Sequence, residues 1–474
     1  MSAQDPRSSA RSSTWVKNPL ATYDPIDGAA SDGGVVVRGT TIVERVAAGA
    51  EPAQQVERVI DAAQLVLLPG LINTHHHFYQ TLTRAHRAAL NKPLFPWLQA
   101  LYPVWSGLTE SMVDISTRLA GAELLLSGCT TAVDHHYVFP TGLEQAIDVQ
   151  AEAMAAMGLR AVLTRGSMSL DASSGGLPPD KVVQDNDTIL DDSARLIDRW
   201  HSAEANSMCQ IVLAPCSPFS VTTELMRETA ALAAQRDVLL HTHLAETADE
   251  NEFCLEQFGM RPVDYIEDCG WLSERAWFAH GIHFNAAEIA RLGAAGCGVT
   301  HCPTSNMVLA SGICPIHELE AAGVRVGLGV DGSASNDGSN MIQEARQALL
   351  LQRLHTQQRQ ANSQADSDVV NSVDVVRHED ALRWATLGGA QLVRRSELGR
   401  IAVGAAADLS LFALDELRFS GSEDPLAALL LCGAHRAEHV LVNGEVRVQN
   451  GELVDVDLPT LVEQHGEQAR TLWR

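Results

Sequence analysis

The sequence predicts an α/β protein built on a closed parallel (β/α)8 barrel, with a small β domain formed by the two ends of the chain. Through the middle of the chain, short apolar runs alternate with stretches of helical spacing. At both ends, strand-like runs are separated by turn residues. We therefore predict domain limits at 1–66, 67–395 and 396–474, with the first and last segments combining into one β domain.

Eight apolar runs of strand character occur in the predicted barrel segment. Amphipathic stretches such as 111–128 and 223–236 lie between them. Eight such alternations are the number that closes a parallel barrel. An open doubly wound sheet is the alternative, but the sequence contains neither a GxGxxG motif nor a P-loop. The runs are LLPGLINTH, CTTAVDHH, LRAVLTRG, QIVLAPC, VLLHTH, AWFAH, GVTHC and RVGLGVD.

The predicted β domain rests on strand runs at 33–39 and 40–49 near the start of the chain, and at 407–414 and 439–453 near its end. Within the last run, Asn-Gly pairs at 443–444 and 450–451 indicate tight hairpin turns. The polar stretch 355–368 has almost no apolar residues and is predicted to be a surface loop.

The charge of the chain restricts its partners. Lysine and arginine number 34 and aspartate and glutamate 59, which gives a net charge of −25. A surface this acidic repels phosphate backbones and anionic lipid, so we expect neither nucleic acid nor a membrane as partner. A small neutral or weakly charged molecule is the expected substrate.

The cysteines and the apolar runs indicate the cellular compartment of the protein. Nine dispersed cysteines without a CxxC pair indicate reduced thiols in a cytoplasmic protein. The first residues, MSAQDPRSSARSST, lack the apolar core of a signal peptide, and no run is long enough to predict a transmembrane helix. We therefore expect a cytoplasmic protein.

Imidazoles and carboxylates follow several of the predicted strands. His75 and His77 are two residues apart, so strand alternation directs both side chains to one face. His243 ends the fifth run, and Asp331 follows the eighth. Alternation alone does not separate His241 from His243; we favour His243 because it is nearer the strand exit and Glu246. The sequence thus predicts a metal site at the carboxyl ends of the strands.

This ligand set predicts hydrolytic chemistry. Three imidazoles and one carboxylate suit one divalent ion, zinc first, with iron(II) or manganese as alternatives. Such an ion lowers the pKa of bound water from about 15.7 towards about 7. Glu246, three residues after His243, is placed to donate a proton, and Asp331 to accept one from water. The predicted reaction is addition of water to an electrophilic carbon.

The same residues resemble the motifs of the amidohydrolase superfamily. PGLINTHHH at 69–77 is similar to its PG-x4-HxH signature, and HLAE at 243–246, AHG around His280 and GVDGSASND at 329–337 follow in order. The resemblance covers nearly the whole chain. It implies a distorted (β/α)8 barrel with a β-sandwich from both termini. Within the superfamily it favours the mononuclear deaminase branch, and it implies a homo-oligomer.

The resemblance also implies roles for individual residues. His75, His77, His243 and Asp331 would be the metal ligands. Glu246 would protonate a ring nitrogen next to the attacked carbon. His280 would orient the hydrolytic water or shuttle its proton. Asp331 would also pass a proton to the departing ammonia.

The substrate expectation depends on residues around this set. Gln80, in HFYQ, matches a purine-binding glutamine, and Cys216, in APCSPFS, stands near the position where guanine deaminases carry an arginine. The pattern is most similar to 8-oxoguanine deaminases, which implies conversion of 8-oxoguanine and water to urate and ammonia. Deamination of isoxanthopterin or guanine and hydrolysis of a triazine are the alternatives. A non-enzymatic ligand-binding homologue would be expected to lack a metal ligand or Glu246, and neither is missing.

Overall fold

The computed structural model describes residues 13–362 and 375–474 of the chain. Seven short strands precede the barrel. They are β1 (Ser13–Lys17), β2 (Ala21–Asp24), β3 (Gly28–Ala30), β4 (Gly34–Arg38), β5 (Thr41–Val46), β6 (Arg58–Asp61) and β7 (Leu65–Pro69).

The middle of the chain forms a closed barrel of eight parallel strands, which confirms the predicted fold class. The ring closes where β15 pairs with β8 through Leu328 and Asn73. Each strand corresponds to one of the eight apolar runs. The strands are β8 (Leu71–Asn73), β9 (Cys129–His136), β10 (Arg160–Ser167), β11 (Cys209–Pro215), β12 (Leu240–Leu244), β13 (Ala276–His280), β14 (Gly298–His301) and β15 (Arg325–Leu328).

Helices cover the outside of the barrel and continue beyond it. They are α1 (Leu94–Trp105), α2 (Glu110–Leu126), α3 (Ala146–Met157), α4 (Asn186–Trp200), α5 (Thr223–Arg236), α6 (Ala248–Phe258), α7 (Pro262–Asp268), α8 (Ala286–Ala294), α9 (Pro303–Val308), α10 (Ile316–Ala321), α11 (Met341–Asn362), α12 (His378–Arg383), α13 (Gly389–Leu392), α14 (Pro425–Ala428) and α15 (Leu458–Leu472). No helix within the described ranges is long and apolar enough to span a membrane.

The two ends of the chain combine into a β-sandwich, as the sequence predicts. The C-terminal strands are β16 (Leu409–Ala413), β17 (His439–Val442), β18 (Glu445–Gln449) and β19 (Glu452–Leu453). One sheet has the order β5-β4-β1-β6, and the other has the order β19-β18-β17-β16-β7-β2-β3. Apolar side chains from both sheets, among them Val16, Val35 and Leu409, form a core separate from that of the barrel.

The predicted hairpin turns are confirmed. Asn443 and Gly444 have φ angles of 53° and 81° between the antiparallel strands β17 and β18. Asn450 and Gly451, with 53° and 71°, connect β18 to β19 in the same way. Two successive positive φ angles are the geometry that an Asn-Gly pair tolerates best.

The run LLPGLINTH is not a single barrel strand, as the sequence suggested, but two strands in different sheets. Its first part is β7, which pairs with β16 and β2 in the sandwich, and its second part is β8 in the barrel. The change occurs at Gly70, where a Cβ would lie 2.1 Å from Thr130 Oγ1. Only glycine allows the two sheets to approach so closely there. The limit predicted at 66–67 therefore falls inside β7.

The loop predicted at 355–368 is wrong in its first part, because residues up to Asn362 belong to helix α11. Three of the residues at 355–362 are glutamines, which are good helix formers. A polar stretch indicates exposure to solvent and does not by itself exclude a helix. The remainder of that stretch lies outside the described residues.

Helix α15 brings the end of the chain back to the barrel. His465 Nε2 lies 3.0 Å from Thr81 Oγ1, and the Trp473 indole donates to the carbonyl oxygen of Leu82 at 2.7 Å. Both contacts fall on the 3-10 helix Phe78–Thr83, which follows the first barrel strand and carries Gln80.

A buried ion pair joins the barrel to the sandwich. Arg160, at the start of β10, donates from Nε and Nη2 to the two carboxylate oxygens of Asp408 at 3.2 and 3.1 Å. Both side chains are almost completely buried. Asp408 also accepts the backbone N–H of Asn443 at 2.7 Å. Removal of one partner would leave the other charge buried without a counter-ion.

We expect Asp408→Ala to lower the free energy of unfolding by about 3–5 kcal/mol, because it leaves the Arg160 guanidinium uncompensated. Equilibrium denaturation in urea measures the change. The control is Asp268→Ala, which breaks an exposed pair with Arg227 and should cost about 1 kcal/mol or less. Equal losses in both variants would contradict the prediction.

Candidate active site

Side chains from three separate strand ends meet at the carboxyl end of the barrel. His75 and His77 follow β8, His243 lies on β12, and Asp331 follows β15. All four are buried. This is the end of the barrel at which functional residues gather, because the loops after the parallel strands are adjacent there.

The inward atoms of this set lie at the spacing of ligands around one ion. Asp331 Oδ1 is 3.4 Å from His75 Nε2 and 3.2 Å from His77 Nε2. His243 Nε2 is 3.2 Å from His77 Nε2. Ligand atoms about 2.0–2.1 Å from a tetrahedral ion lie about 3.3–3.4 Å from one another. The arrangement therefore fits a single metal ion.

The outer nitrogens of His77 and His243 are bound to carbonyl oxygens. His77 Nδ1 lies 2.6 Å from the oxygen of His135, and His243 Nδ1 lies 2.6 Å from the oxygen of Cys216. A carbonyl oxygen only accepts, so each Nδ1 carries the hydrogen and each Nε2 presents a lone pair. Two lone pairs 3.2 Å apart repel each other unless a cation or proton lies between them.

His241, the alternative to His243 in the sequence prediction, orients His75. His241 Nδ1 donates to the oxygen of Trp277 at 2.9 Å, so its Nε2 is an acceptor. That Nε2 lies 2.8 Å from His75 Nδ1, which must donate. His75 Nε2 is thereby left as a buried lone pair without a hydrogen-bond partner among the described residues. The structure places His241 one layer below the cluster and His243 within it.

Asp331 is held as a carboxylate. Ser305 Oγ donates to its Oδ2 at 2.6 Å, while Oδ1 faces the histidines. Burial by itself raises the pKa of Asp331, but a proton held between the His75 and His77 imidazoles, like a cation at the same place, outweighs burial and holds the pKa well below its usual range. Oδ1 can therefore bind a cation while Oδ2 stays available for proton transfer.

Glu246 and His280 lie beside the cluster. His280 Nε2 is 3.5 Å from Glu246 Oε2 and 3.9 Å from Asp331 Oδ2. Its Nδ1 donates to Asn306 Oδ1 at 2.9 Å, and Ser311 Oγ donates to Glu246 Oε1 at 3.3 Å. These two contacts leave one polar atom of each side chain directed towards the other and towards Asp331.

The proton affinities of this pair suit proton transfer. Burial raises the pKa of Glu246, so its acid form persists to higher pH than that of an exposed glutamate. Burial opposes a charge on His280, but the carboxylates of Glu246 and Asp331 raise its pKa overall. A carboxylic acid with a raised pKa next to a histidine is typical of general acid catalysis.

Left-handed backbone recurs at the strand ends of the site. Ala245, His280 and Asp331 have φ angles of 53°, 71° and 63°. Residues with a Cβ seldom adopt this conformation unless surrounding contacts impose it, and such residues cluster at functional sites. The turns at His280 and Asp331 lie where these two side chains enter the cluster, and the turn at Ala245 immediately precedes Glu246.

A cavity opens onto the cluster. The predicted substrate residues Gln80 and Cys216 both line it. No lysine or arginine is among the described residues that line it. Burial raises the pKa of the Cys216 thiol to about 12, so this side chain is neutral. The other lining residues are His77, Leu94, Trp97, Leu98, Tyr137, Phe219, His243, Glu246, His280, Leu309, Asp331 and Ser335.

Several residues in the cavity wall or next to the cluster are not among those predicted from the sequence. Tyr137 continues the alternation of β9 past His135, and Phe219 lies three residues after Cys216, so both could have been found from the strand ends. Ser305 and Asn306, on the short helix α9, show no periodic signal. His135 also has a ring nitrogen within 4.8 Å of those of His75, His77 and His243. Its Nε2 donates to the oxygen of Ala214 at 2.8 Å, which leaves its Nδ1 as a buried lone pair without a hydrogen-bond partner among the described residues.

A closed parallel barrel with a cluster of histidines and carboxylates at the carboxyl ends of its strands is the arrangement of a barrel enzyme with a candidate metal site. The chain belongs to the amidohydrolase family, whose profile matches residues 66–447. The family predicted from the sequence motifs is therefore confirmed.

Known proteins resemble the chain over almost its whole length. It is 58% identical to 8-oxoguanine deaminase of Pseudomonas aeruginosa, over 97% of this chain and 99% of the relative. It is 33% identical to isoxanthopterin deaminase of an unknown prokaryotic organism, over 98% and 97%. The crystal structure of atrazine chlorohydrolase from Arthrobacter aurescens TC1 complexed with zinc superimposes with a TM-score of 0.87, at 30% identity and over 97% and 100% of the two chains.

Proposed function

We propose that the protein catalyses the hydrolytic deamination of an oxidised purine base, converting 8-oxoguanine and water to urate and ammonia. The observation that carries this substrate assignment is the 58% identity to an 8-oxoguanine deaminase over nearly the full length of both chains. The cavity supports it, because a pocket without a cationic side chain among its described lining residues suits a neutral heterocycle.

We propose that His75, His77, His243 and Asp331 hold one divalent ion, with zinc first. The spacing of their inward atoms and the orphaned lone pair of His75 support this ligand set. Nitrogen and oxygen donors also accept iron(II) or manganese. When bound, the ion would acidify water in the cavity and so supply a nucleophile at neutral pH.

The chain's own residues would move the protons. Glu246, with its raised pKa, donates a proton to the ring nitrogen next to the amino-bearing carbon. His280, fixed through Nδ1 by Asn306, orients the attacking water with Nε2. Asp331 Oδ2, which accepts a hydrogen bond from Ser305, takes one proton of that water and passes it to the amino group, which leaves as ammonia. The second proton of the water returns to Glu246 as the new carbonyl group forms.

Gln80 would recognise the lactam edge of the base. Its amide oxygen is buried and has no hydrogen-bond partner among the described residues, so a ring N–H is a suitable donor to it. The amide lies directly against the backbone of Gly332, where a Cβ would be 1.9 Å from Gln80 Oε1. Trp97 and Phe219 are in the cavity wall, where flat apolar faces can stack on the ring system.

A steady-state screen that follows ammonia release tests the substrate. We expect 8-oxoguanine to give a kcat/KM about 10–100-fold larger than guanine, isoxanthopterin or hydroxyatrazine, because each of these changes the polar groups on the ring edge. A larger kcat/KM with another ring would contradict the assignment. Bound metal without turnover of any ring would support a protein that only binds its ligand.

We further propose a homo-oligomer in the cytoplasm. All nine cysteines lie within the described residues and are free, which suits a reducing compartment. Light scattering coupled to size-exclusion chromatography tests the association, with a mass of 51.0 kDa expected only for a monomer.

A further inference from the structure

The turn that carries Glu246 leaves β12 through Ala245, whose φ of 53° lies in the left-handed region. A side chain with a Cβ disfavours this conformation, so the turn needs contacts that impose it. Two adjacent backbone N–H groups, those of Ala245 and Glu246, need acceptors at this place. The group that accepts these two hydrogen bonds therefore helps to fix the position of the Glu246 carboxyl.

That group is one carboxylate. Glu250 Oε1 accepts the N–H of Ala245 at 2.8 Å, and Glu250 Oε2 accepts the N–H of Glu246 at 2.9 Å. The Glu250 side chain is completely buried. Burial raises the pKa of Glu250 to about 7, while the two N–H groups favour its charged form, in which both oxygens accept from consecutive amides.

Ordinary helix capping does not account for this contact. Glu250 is the third residue of α6, and in a capping box its carboxylate would return to the N–H of Thr247, the residue before the helix. No such box is present at this helix. The carboxylate instead reaches one and two residues further back, to the turn itself.

The other side of the turn is anchored to the next strand end. The oxygen of Ala245 accepts the N–H groups of Ile282 and His283, both at 2.9 Å. His283 Nε2 donates to the oxygen of Ser311 at 2.8 Å, and Ser311 Oγ donates to Glu246 Oε1 at 3.3 Å. Both the N–H and the C=O of Ala245 are therefore hydrogen-bonded. Among the described residues, Glu250 is the only one whose side chain accepts that N–H.

We propose that Glu250 is a positioning residue that aims the Glu246 carboxyl at the substrate and at His280. This inference rests on the proposed function, in which Glu246 is the proton donor. Glu250 hydrogen-bonds to the backbone of the turn, so it acts through Glu246 and not on the substrate.

Glu250→Gln is the most informative variant. Glutamine keeps the volume and one acceptor oxygen but turns an NH2 group towards the second N–H, so one of the two hydrogen bonds is replaced by a donor–donor contact. We expect kcat to fall about 10–100-fold, as for other residues that orient a catalytic group, with KM within about twofold of wild type. Glu252→Gln, an exposed glutamate on the same helix, is the matched control and should retain wild-type kcat.

A double-mutant cycle separates positioning from general destabilisation. If Glu250 acts through Glu246, the Glu246→Gln/Glu250→Gln enzyme has the same kcat as Glu246→Gln alone. Multiplicative losses, or a Glu250→Gln kcat within about twofold of the control, would overturn the proposal. If the glutamine variant is insoluble, Glu250→Asp, whose carboxylate is withdrawn by one methylene, takes its place in the cycle.

A crystal structure of Glu250→Gln tests the positioning role of Glu250 without a measurement of turnover. We expect the Glu246 carboxyl to leave its position 3.5 Å from His280 Nε2, and an unmoved carboxyl would overturn the proposal. If the wild-type enzyme deaminates none of the rings tested, the proposed function fails, whereas the position of Glu246 in this variant still tests the role of Glu250.

Discussion

Replacement of His77 by alanine is expected to abolish both metal binding and turnover. His77 Nε2 lies 3.2 Å from Asp331 Oδ1 and 3.2 Å from His243 Nε2, so it is central to the candidate ligand set. A site that loses one of three imidazoles keeps only three of the four proposed ligands and should bind the ion much more weakly. Metal content measured by plasma mass spectrometry should fall from about one ion per chain to about a tenth or less.

The control for this variant is His435→Ala, which changes an exposed histidine away from the cluster and should retain metal and activity. Circular dichroism of His77→Ala, compared with wild-type protein stripped by a chelator, separates loss of the ion from loss of the fold. Full metal occupancy in His77→Ala would exclude His77 as a ligand.

Glu246→Gln is expected to retain the metal ion and to lose catalysis, which distinguishes metal binding from proton transfer. The amide has nearly the shape of the acid but cannot transfer a proton, so kcat should fall about 100–10,000-fold. Glu246 lies next to His280 and Ser311 and is outside the ligand set. Metal content should therefore equal that of wild type.

Steady-state rates and metal analysis on the same preparation check this expectation. Glu256→Gln, another exposed position on α6, controls for the substitution itself and should leave the rate unchanged. A Glu246→Gln enzyme with wild-type kcat would remove Glu246 from the mechanism, and one without metal would assign it a different role.

The barrel could be predicted because its strands are buried on both sides. Each of the eight runs is apolar over strand length, and the polar residues at their ends stand out against that background. His75 and His77 could be paired from alternation, and Asp331 from its place after the last run. The structure brings these residues together with His243, and their roles as ligands stay a prediction.

Other features depend on geometry that no sequence period encodes. His241 and His243 face the same side of β12, and only the hydrogen bond from His75 to His241 places the latter below the cluster. The break at Gly70 divides one apolar run between two sheets because of a close approach to Thr130, far along the chain. Glu250 contacts Glu246 through a backbone N–H group, and every residue except proline has one, so the sequence does not indicate this contact.

Helix α15 has a consequence for how the protein is made. Its His465 and the adjoining Trp473 contact the 3-10 helix that carries Gln80, almost 400 residues earlier in the chain, with separations of 384 and 391 residues for the two hydrogen bonds. During translation the first candidate metal-binding histidines leave the ribosome early, but the segment next to them acquires these contacts only after residues 458–473 have been synthesised. Nascent chains that stall before α15 should therefore lack both hydrogen bonds to the segment that carries Gln80.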